Sequence, residues 1–291
     1  MSGSPAATSA LGIENTWAPL RRVLLHRPVE TLSADDAAAW GYPEGRDLAR
    51  CQAEFAAFAA LLRAEGVEVA IDETPVGPDA VYACDPLLPS PFGPIVGRMR
   101  KPLRQPENAA AAAHLDRLGI SAFAPLPDGH VEGGDVIWLD RRTVLVAVGH
   151  RSDRRGAEAF ATLLTPHGVR VRQVEMPWMD GPEVCLHLRS LINVVGPDLA
   201  VVERRWLPTV LLEELAARGL RLIDGVEAEY PTQGNNLQAV GPRRVLLTAG
   251  NPRTAARLRE AGVVVLEFEG QELCVKGTGG PTCLCFDLTR G

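Results

Sequence analysis

One pattern recurs five times along the chain and restricts what it can fold into. A stretch rich in Ala and Leu runs to a glycine, and a short apolar, often β-branched run follows. The copies are FAALLRAEGVEVAI, AAAAHLDRLGISAFA, FATLLTPHGVRVRQV, LLEELAARGLRLID and AARLREAGVVVLEF, with glycines at Gly66, Gly119, Gly168, Gly219 and Gly262. A glycine just past a helix supplies the left-handed conformation that ends it. The run after it reads as a buried strand. The glycines are spaced 53, 49, 51 and 43 residues apart. Further strand-like runs lie between the copies: RRVLLHRP, DVIWLD, RTVLVAVG, NVVGPDLAVVE and RRVLLTAG. Each unit therefore holds strands plus one helix, on the scale of a propeller or an array of supersecondary units.

Two α/β architectures meet this pattern. Five ββαβ-type units closed around a central channel would make a five-bladed α/β propeller. A doubly wound sheet also alternates helix, glycine and strand. No GxGxxG follows a strand and no P-loop is present. With 291 residues, 46% of them hydrophobic, the chain can bury a sizeable core. Residues 1–11 read as a flexible tail and residues 12–291 as one domain. MSGSPAATSALG has no apolar stretch of the signal-peptide kind, and no membrane span is apparent. The expectation is a cytoplasmic chain with reduced thiols.

The formal charge of −6 disfavours nucleic acid, which needs a basic face, and is compatible with a cationic ligand. The six cysteines, Cys51, Cys84, Cys185, Cys274, Cys283 and Cys285, form no CxxC pair and no Cys/His cluster of zinc spacing, and covalent chemistry on a nucleophilic thiol needs neither a metal nor an organic cofactor. Several residues could carry chemistry without them. GGPTC near the end sets Cys283 after two glycines and a proline, as a nucleophile at a turn or as a buried thiol in a final strand. Cys285, two residues on, would share its strand face and is the rival nucleophile. His187 lies in EVCLHLRSLINVV, an alternating run in which a histidine also reads as a satisfied core residue. His114 and His167 sit near helix ends and read as solvated. HVEGGDVIWLD places Glu132 and Asp135 around two glycines, which admit close backbone approach or make a polar turn. In GPDAVYACDPLL, Asp79 and Asp85 bracket a strand-like VYA. Their separation of six would put both on one face, unless they are turn formers beside Pro78 and Pro86. Arg104 in RKPLRQPE and Arg151 in GHRSDRRG could hold a ligand carboxylate or be surface residues. By composition, Gly12 to Trp17 and Leu32 to Glu44 are candidate lids.

Taken in order, PDAVYACDP, RMRKPLRQPE, VEGGDV, GHRSDRRGAE, HLRS and GGPTCL resemble the guanidino-group-modifying enzymes of the pentein superfamily. These are the dimethylarginine dimethylaminohydrolases, arginine deiminases and amidinotransferases, and the likeness runs from about residue 14 to 291. It implies the pentein fold, a five-bladed α/β propeller with the site in its channel, and makes 12–291 a single catalytic domain. It implies Cys283 as nucleophile, His187 as general acid/base and Glu132 as the residue orienting that histidine. It further implies that Asp85 binds the substrate guanidinium, Asp79 the amino-acid end, and Arg104 and Arg151 the substrate carboxylate. The partner would be a small guanidino molecule, arginine or a methylarginine, with no nucleic acid and no membrane; a homodimer is allowed.

The short length and HLRS, where deiminases typically read HLD and amidinotransferases HID, resemble the dimethylarginine hydrolases most. Cys84-Asp85 departs from their usual Glu-Asp. The expected activity is hydrolysis of an N-methylated arginine to citrulline and an alkylamine. The alternatives are, in turn, an arginine deiminase or dihydrolase, an amidinotransferase, and a non-catalytic binding pentein. A papain-like protease lacks a CGSCW-like stretch.

Overall fold

All five repeat glycines end their helices in the left-handed region. Gly66, Gly119, Gly168, Gly219 and Gly262 have φ of +79°, +69°, +76°, +73° and +81°. A side chain at any of them would meet nothing within 4 Å, so backbone conformation, not space, is what requires glycine there. The computed structural model describes residues 11–32, 34–42, 45–179, 181 and 187–291. The expected tail therefore lies outside the described residues except for Leu11, which packs against the core.

Along the chain, the first unit holds β1 (Leu20–His26), α1 (Ala34–Trp40), α2 (Leu48–Ala64) and β2 (Glu68–Asp72). The second holds β3 (Leu87–Leu88), β4 (Ile95–Val96), α3 (Pro106–Arg117) and β5 (Ala124–Pro125). The third holds β6 (Val136–Asp140), β7 (Thr143–Val148), α4 (Arg154–Leu164) and β8 (Arg170–Glu175). The fourth holds α5 (Leu188–Leu191), β9 (Ile192–Gly196), β10 (Leu199–Val202), α6 (Thr209–Ala217) and β11 (Arg221–Asp224). The fifth holds β12 (Gln238–Gly241), β13 (Arg244–Thr248), α7 (Pro252–Glu260) and β14 (Val264–Phe268). The chain then ends in α8 (Pro281–Leu284) and β15 (Phe286–Arg290).

These strands form five three-stranded sheets: β15-β1-β2, β3-β4-β5, β6-β7-β8, β9-β10-β11 and β12-β13-β14. In each sheet the middle strand pairs antiparallel with one neighbour and parallel with the other. The parallel partner always follows a helical crossover, as parallel pairing demands. This is the five-bladed α/β propeller. The last strand, β15, completes the first blade and so joins the two ends of the chain in one sheet.

Burial falls from one side of each blade to the other. β9, β12 and β15 are buried throughout, whereas β8, β11 and β14 alternate exposed and half-buried residues. Helices then cover the sheets. In the first blade Phe55, Phe58 and Leu62 of α2 pack on Val23 and Leu25, with the Phe58 and Phe268 rings 4.7 Å apart.

Four local expectations change. Asp79 lies in a 3-10 turn, Pro78–Val81, and a further turn leads to Asp85, so no strand brings the two together. The flanking prolines and turn-forming aspartates override the strand preference of VYA. His187 precedes the short helix α5 rather than standing in a strand, and residues 182–186 before it lie outside the described residues. Cys283 is within α8, so Cys283 and Cys285 share no strand face. His114 is buried, not solvated, with Nδ1 3.2 Å from Asp72.

Replacing Gly219 by Ala should destabilise the fold by about 1 kcal/mol, since an L-residue is strained in that conformation. Urea unfolding would measure it; an unchanged midpoint would show that α6 can end without a left-handed residue.

Candidate active site

Four separate segments converge, and backbone hydrogen bonds knit them. Cys84 N donates to the carbonyl of Cys283 (3.0 Å), and Gly133 N donates to the carbonyl of Asp85 (2.9 Å). Leu188 N donates to Asp135 Oδ1 (2.9 Å), and Ser152 Oγ donates to Asp135 Oδ2 (2.6 Å). Asp135 therefore fixes the turn that carries His187. The two glycines of VEGGDV allow the approach. A Cβ on Gly134 would lie 2.6 Å from Cγ of the His187 ring, and one on Gly133 would lie 2.0 Å from the Cys84 carbonyl oxygen.

His187 is buried between two carboxylates. Its Nε2 donates to Glu132 Oε2 at 2.8 Å, and its Nδ1 faces Asp85 Oδ1 at 3.9 Å. Glu132 Oε1 accepts from the backbone N of Arg100 (3.0 Å). Burial alone would raise the Glu132 pKa. The hydrogen bond and charge of His187, with Arg104 and Arg151 behind them, outweigh it and hold the carboxyl down at about 2. An ionised Glu132 fixes the ring's orientation and favours its charged form. Asp85, Glu132 and His187 are also residue types that hold metals, with one ligand atom from each lying within 4.8 Å of the others. The two ring nitrogens face different carboxylates, Nε2 that of Glu132 and Nδ1 that of Asp85.

Cys283 is half-buried, with Asn236 Nδ2 3.4 Å from its Sγ. The same Asn236 uses Oδ1 to accept from Thr282 N (2.9 Å) and Thr282 Oγ1 (2.8 Å), which pins the helical turn carrying the thiol. A Cβ on Gly280 would strike the Asn236 side chain at 2.4 Å, and one on Gly279 the Tyr82 ring at 2.3 Å. The two glycines before Cys283 are thus required by close packing. Burial pushes the Cys285 thiol well above its usual range and the Cys84 thiol up to about 12. Buried neutral thiols are inert, which removes Cys285 as a rival and leaves Cys84 uncharged. The five described cysteines are all free; Cys185 lies outside the described residues.

Of the expected site residues, Asp79, Arg104 and Arg151 line a cleft of about 560 Å³, together with Trp40, Tyr82, Arg100 and Lys101, whereas Asp85, Glu132, His187 and Cys283 are not part of its lining. Asp79 is buried at its edge, where Oδ1 accepts from Tyr42 Oη (3.0 Å) and Oδ2 from Lys101 Nζ (3.3 Å). Arg151 lines the cleft, and its charge acts on Glu132. Of the two candidate lids, the second supplies Ala38 to Gly41 to the cleft wall; its Ser33, Pro43 and Glu44 lie outside the described residues. The first is tied elsewhere: Ile13 is fully buried, and its N donates to the Ser90 carbonyl.

Arg104 lines the cleft and also makes contacts that were not expected. The resemblance gives it to a substrate carboxylate. In the structure its guanidinium is buried against Glu107 and Asp85, with Nη1 donating to Asp85 Oδ2 at 2.8 Å. Glu107 and Asn236 are absent from the expected residues. Glu107 had a local signal, standing three residues after Arg104 at the start of a helix. Asn236, in QGNN, had none, because only the tertiary fold brings it to Cys283.

A family model described as N,N dimethylarginine dimethylhydrolase, eukaryotic, matches residues 33–290. The chain belongs to that family. It is therefore a pentein, one of the guanidino-group-modifying enzymes of that superfamily. Arginine deiminase of Rhodococcus erythropolis is 29% identical over 189 residues, which is 55% of this chain and 46% of the deiminase; the chain thus spans under half the length of that relative. Among solved structures, the dimethylarginine dimethylaminohydrolase of Pseudomonas aeruginosa superposes with a TM-score of 0.73 at 20% identity, covering 92% of this chain and 99% of that one. The N-terminal domain of ArgZ, a cyanobacterial arginine dihydrolase, superposes with a TM-score of 0.78 at 18% identity, covering 92% and 98%. At such identities the two structures speak to the fold alone. Among the described residues, no helix is long and apolar enough to cross a membrane.

The held-down carboxyl of Glu132 sets a pH dependence. A folded pKa below the ordinary 4.5 contributes stability that is present above that value and is lost as pH falls toward 2. Glu132→Gln should therefore unfold more easily than wild type at pH 6, and the gap should close as pH drops. Thermal melts from pH 6 to pH 2 check this; a gap of constant size would mean that Glu132 is not held ionised.

Proposed function

We propose that the protein is a cysteine hydrolase of N-methylated arginine, releasing citrulline and an alkylamine through a covalent thiouronium intermediate. The observation that carries the reading is His187 held between two buried carboxylates, with the half-buried Cys283 joined to the Cys84-Asp85 backbone. The family match supports the substrate class.

In this reading Asp85 pairs with the substrate guanidinium and Asp79 with the amino-acid end, while Arg151 meets the carboxylate. A cation placed beside Cys283 favours its thiolate. The thiolate attacks the guanidinium carbon and forms a C–S bond. His187 gives a proton to the departing nitrogen, the C–N bond breaks, and amine leaves. The thiouronium stays on Cys283. His187, now neutral, takes a proton from water, whose oxygen attacks the same carbon. The C–S bond breaks, the thiolate returns, the proton of the new hydroxyl passes to solvent and the neutral ureido product is released. Glu132 stabilises the imidazolium in the charged steps, as the third group of a triad does.

Arginine itself is the second reading, favoured by the deiminase similarity. Cys84, being neutral, adds no second carboxylate beside Asp85 to mark a methylated nitrogen.

Incubation with N-methylated arginines and with arginine, followed by assay of citrulline, ornithine and amine, tests the proposal. Citrulline with methylamine or dimethylamine is the expected result. Citrulline with ammonia from arginine alone would replace it with deimination, and ornithine with ammonia would indicate a dihydrolase. Cys283→Ser should lower turnover by about 10³-fold or more, and His187→Gln by about 10²–10⁴-fold. Full activity in Cys283→Ser would end the proposal.

A further inference from the structure

We propose that Arg189 favours the thiolate of Cys283 before any substrate arrives, through the charge of a buried guanidinium that no carboxylate pairs. The proposal rests on the reading of Cys283 as nucleophile. Arg189 stands in α5, two residues after His187, and is 6% exposed. Asn193 fastens that helix: its Nδ2 donates to the Arg189 carbonyl at 2.8 Å and to the Asn235 carbonyl at 2.5 Å. Asn236, the next residue, is the one whose Nδ2 lies 3.4 Å from Cys283 Sγ. Arg189 and Thr282, the residue before Cys283, line one small cavity together with Asn193 and Gln238. Separate ties thus hold the guanidinium and the thiol in one neighbourhood.

The guanidinium lacks a counter-charge. Its surroundings hold two buried arginines, Arg189 and Arg290, and one buried carboxylate, Asp287. Asp287 is already occupied: Oδ2 accepts from Arg290 Nε at 2.7 Å and Oδ1 from Gln238 Nε2 at 3.0 Å. Among the described residues Arg189 makes no ion pair, and its side chain makes no hydrogen bond. One positive charge is left over. A guanidinium does not give up its proton in a protein, and a buried charge without compensation is costly.

Burial opposes the charge of Arg189, and the groups facing it, Cys84, Asp287, Cys283 and Cys285, favour it. Of the three thiols, burial pushes Cys84 up to about 12 and Cys285 well above its usual range, so both stay neutral. Cys283 is only half-buried, so its proton can pass to water, and Asn236 Nδ2 is at hand to hydrogen-bond the anion. Cys274, in the helical turn Gln271–Val275, faces Cys283 from a further side and is itself held neutral by burial. His187, the other cation of the site, is committed to Glu132 and faces Asp85. Ionised Cys283 is therefore the group that balances Arg189. A positive neighbour of this kind is what lowers a thiol into the reactive range, and its effect adds to that of a bound guanidinium.

The test reads the thiol with no substrate present. Alkylation by iodoacetamide, a neutral reagent, is followed from about pH 6 to about pH 10, and peptide mapping counts only the label on Cys283. The inflection of rate against pH marks the ionisation of that thiol. Arg189→Met, which keeps an apolar stem and removes the charge, should move the inflection upward by about one unit or more. Arg189→Gln should do the same, and Arg189→Lys, which keeps the charge, should leave it near the wild-type position. Melting curves confirm that each variant folds, and Arg189→Gln carries the test if Arg189→Met does not. An inflection that stays in place in the folded neutral variants overturns the inference. So does an equal shift in Arg189→Lys, which would make side-chain shape the cause rather than charge. A label confined to other cysteines would end the reading of Cys283 as nucleophile and this inference with it, whereas an unmoved inflection on a labelled Cys283 ends the inference alone.

Discussion

The site depends on one imidazole held between two buried carboxylates. Ions in a protein interior are tolerated only in pairs, and removing one member leaves the other at a steep cost. Here the pairs form a chain: Glu132 to His187, His187 facing Asp85, Asp85 to Arg104, and Arg104 to Glu107. Each member is buried, so each is fixed by its neighbours rather than by solvent. One acceptor in the chain, Asp85 Oδ1, has no hydrogen-bond partner. In the proposed function this is the oxygen that a cation with N–H donors would meet, beside the imidazole that would manage the proton.

The ring architecture explains how so short a list of residues meets. Each blade contributes a loop or a short helix at the end of a buried strand, so groups from distant sequence positions arrive together. Cys283 comes from the last residues, Asp85 from the second unit, Glu132 from the entry to the third and His187 from the entry to the fourth. Closure by β15 matters doubly. It completes the first blade and, one turn before it, presents the thiol. Glycines sit where these segments touch: Gly133 and Gly134 under Cys84 and His187, Gly279 and Gly280 under Tyr82 and Asn236.

Much of this was legible in the residues. The helix ends announced themselves because a left-handed glycine is a local requirement, readable without any partner. The pairing of Glu132 with His187 was implied by the resemblance to the guanidino-modifying penteins, and the two lie 2.8 Å apart. Other features resisted. VYA between two aspartates resembles a strand, but short apolar runs are ambiguous, and Pro78 and Pro86 turn this one into a bracket around Arg104. His114 reads as a polar residue near a helix end, and its burial depends on Asp72, far away in the chain. Asn236 beside Cys283 and the contact of Arg104 with Asp85 are tertiary facts with no pattern in a single sequence.

The central claim is that the thiol of residue 283, beside this charge cluster, forms a bond to a guanidino carbon. Acid-quenching the enzyme within the first turnovers and mapping its peptides by mass spectrometry tests that bond directly. The account predicts a substrate-derived thiouronium on the peptide containing Cys283, accumulating in the steady state and vanishing as substrate is exhausted. A substrate adduct confined to another cysteine, or turnover in which no species bound to Cys283 ever forms, would contradict it.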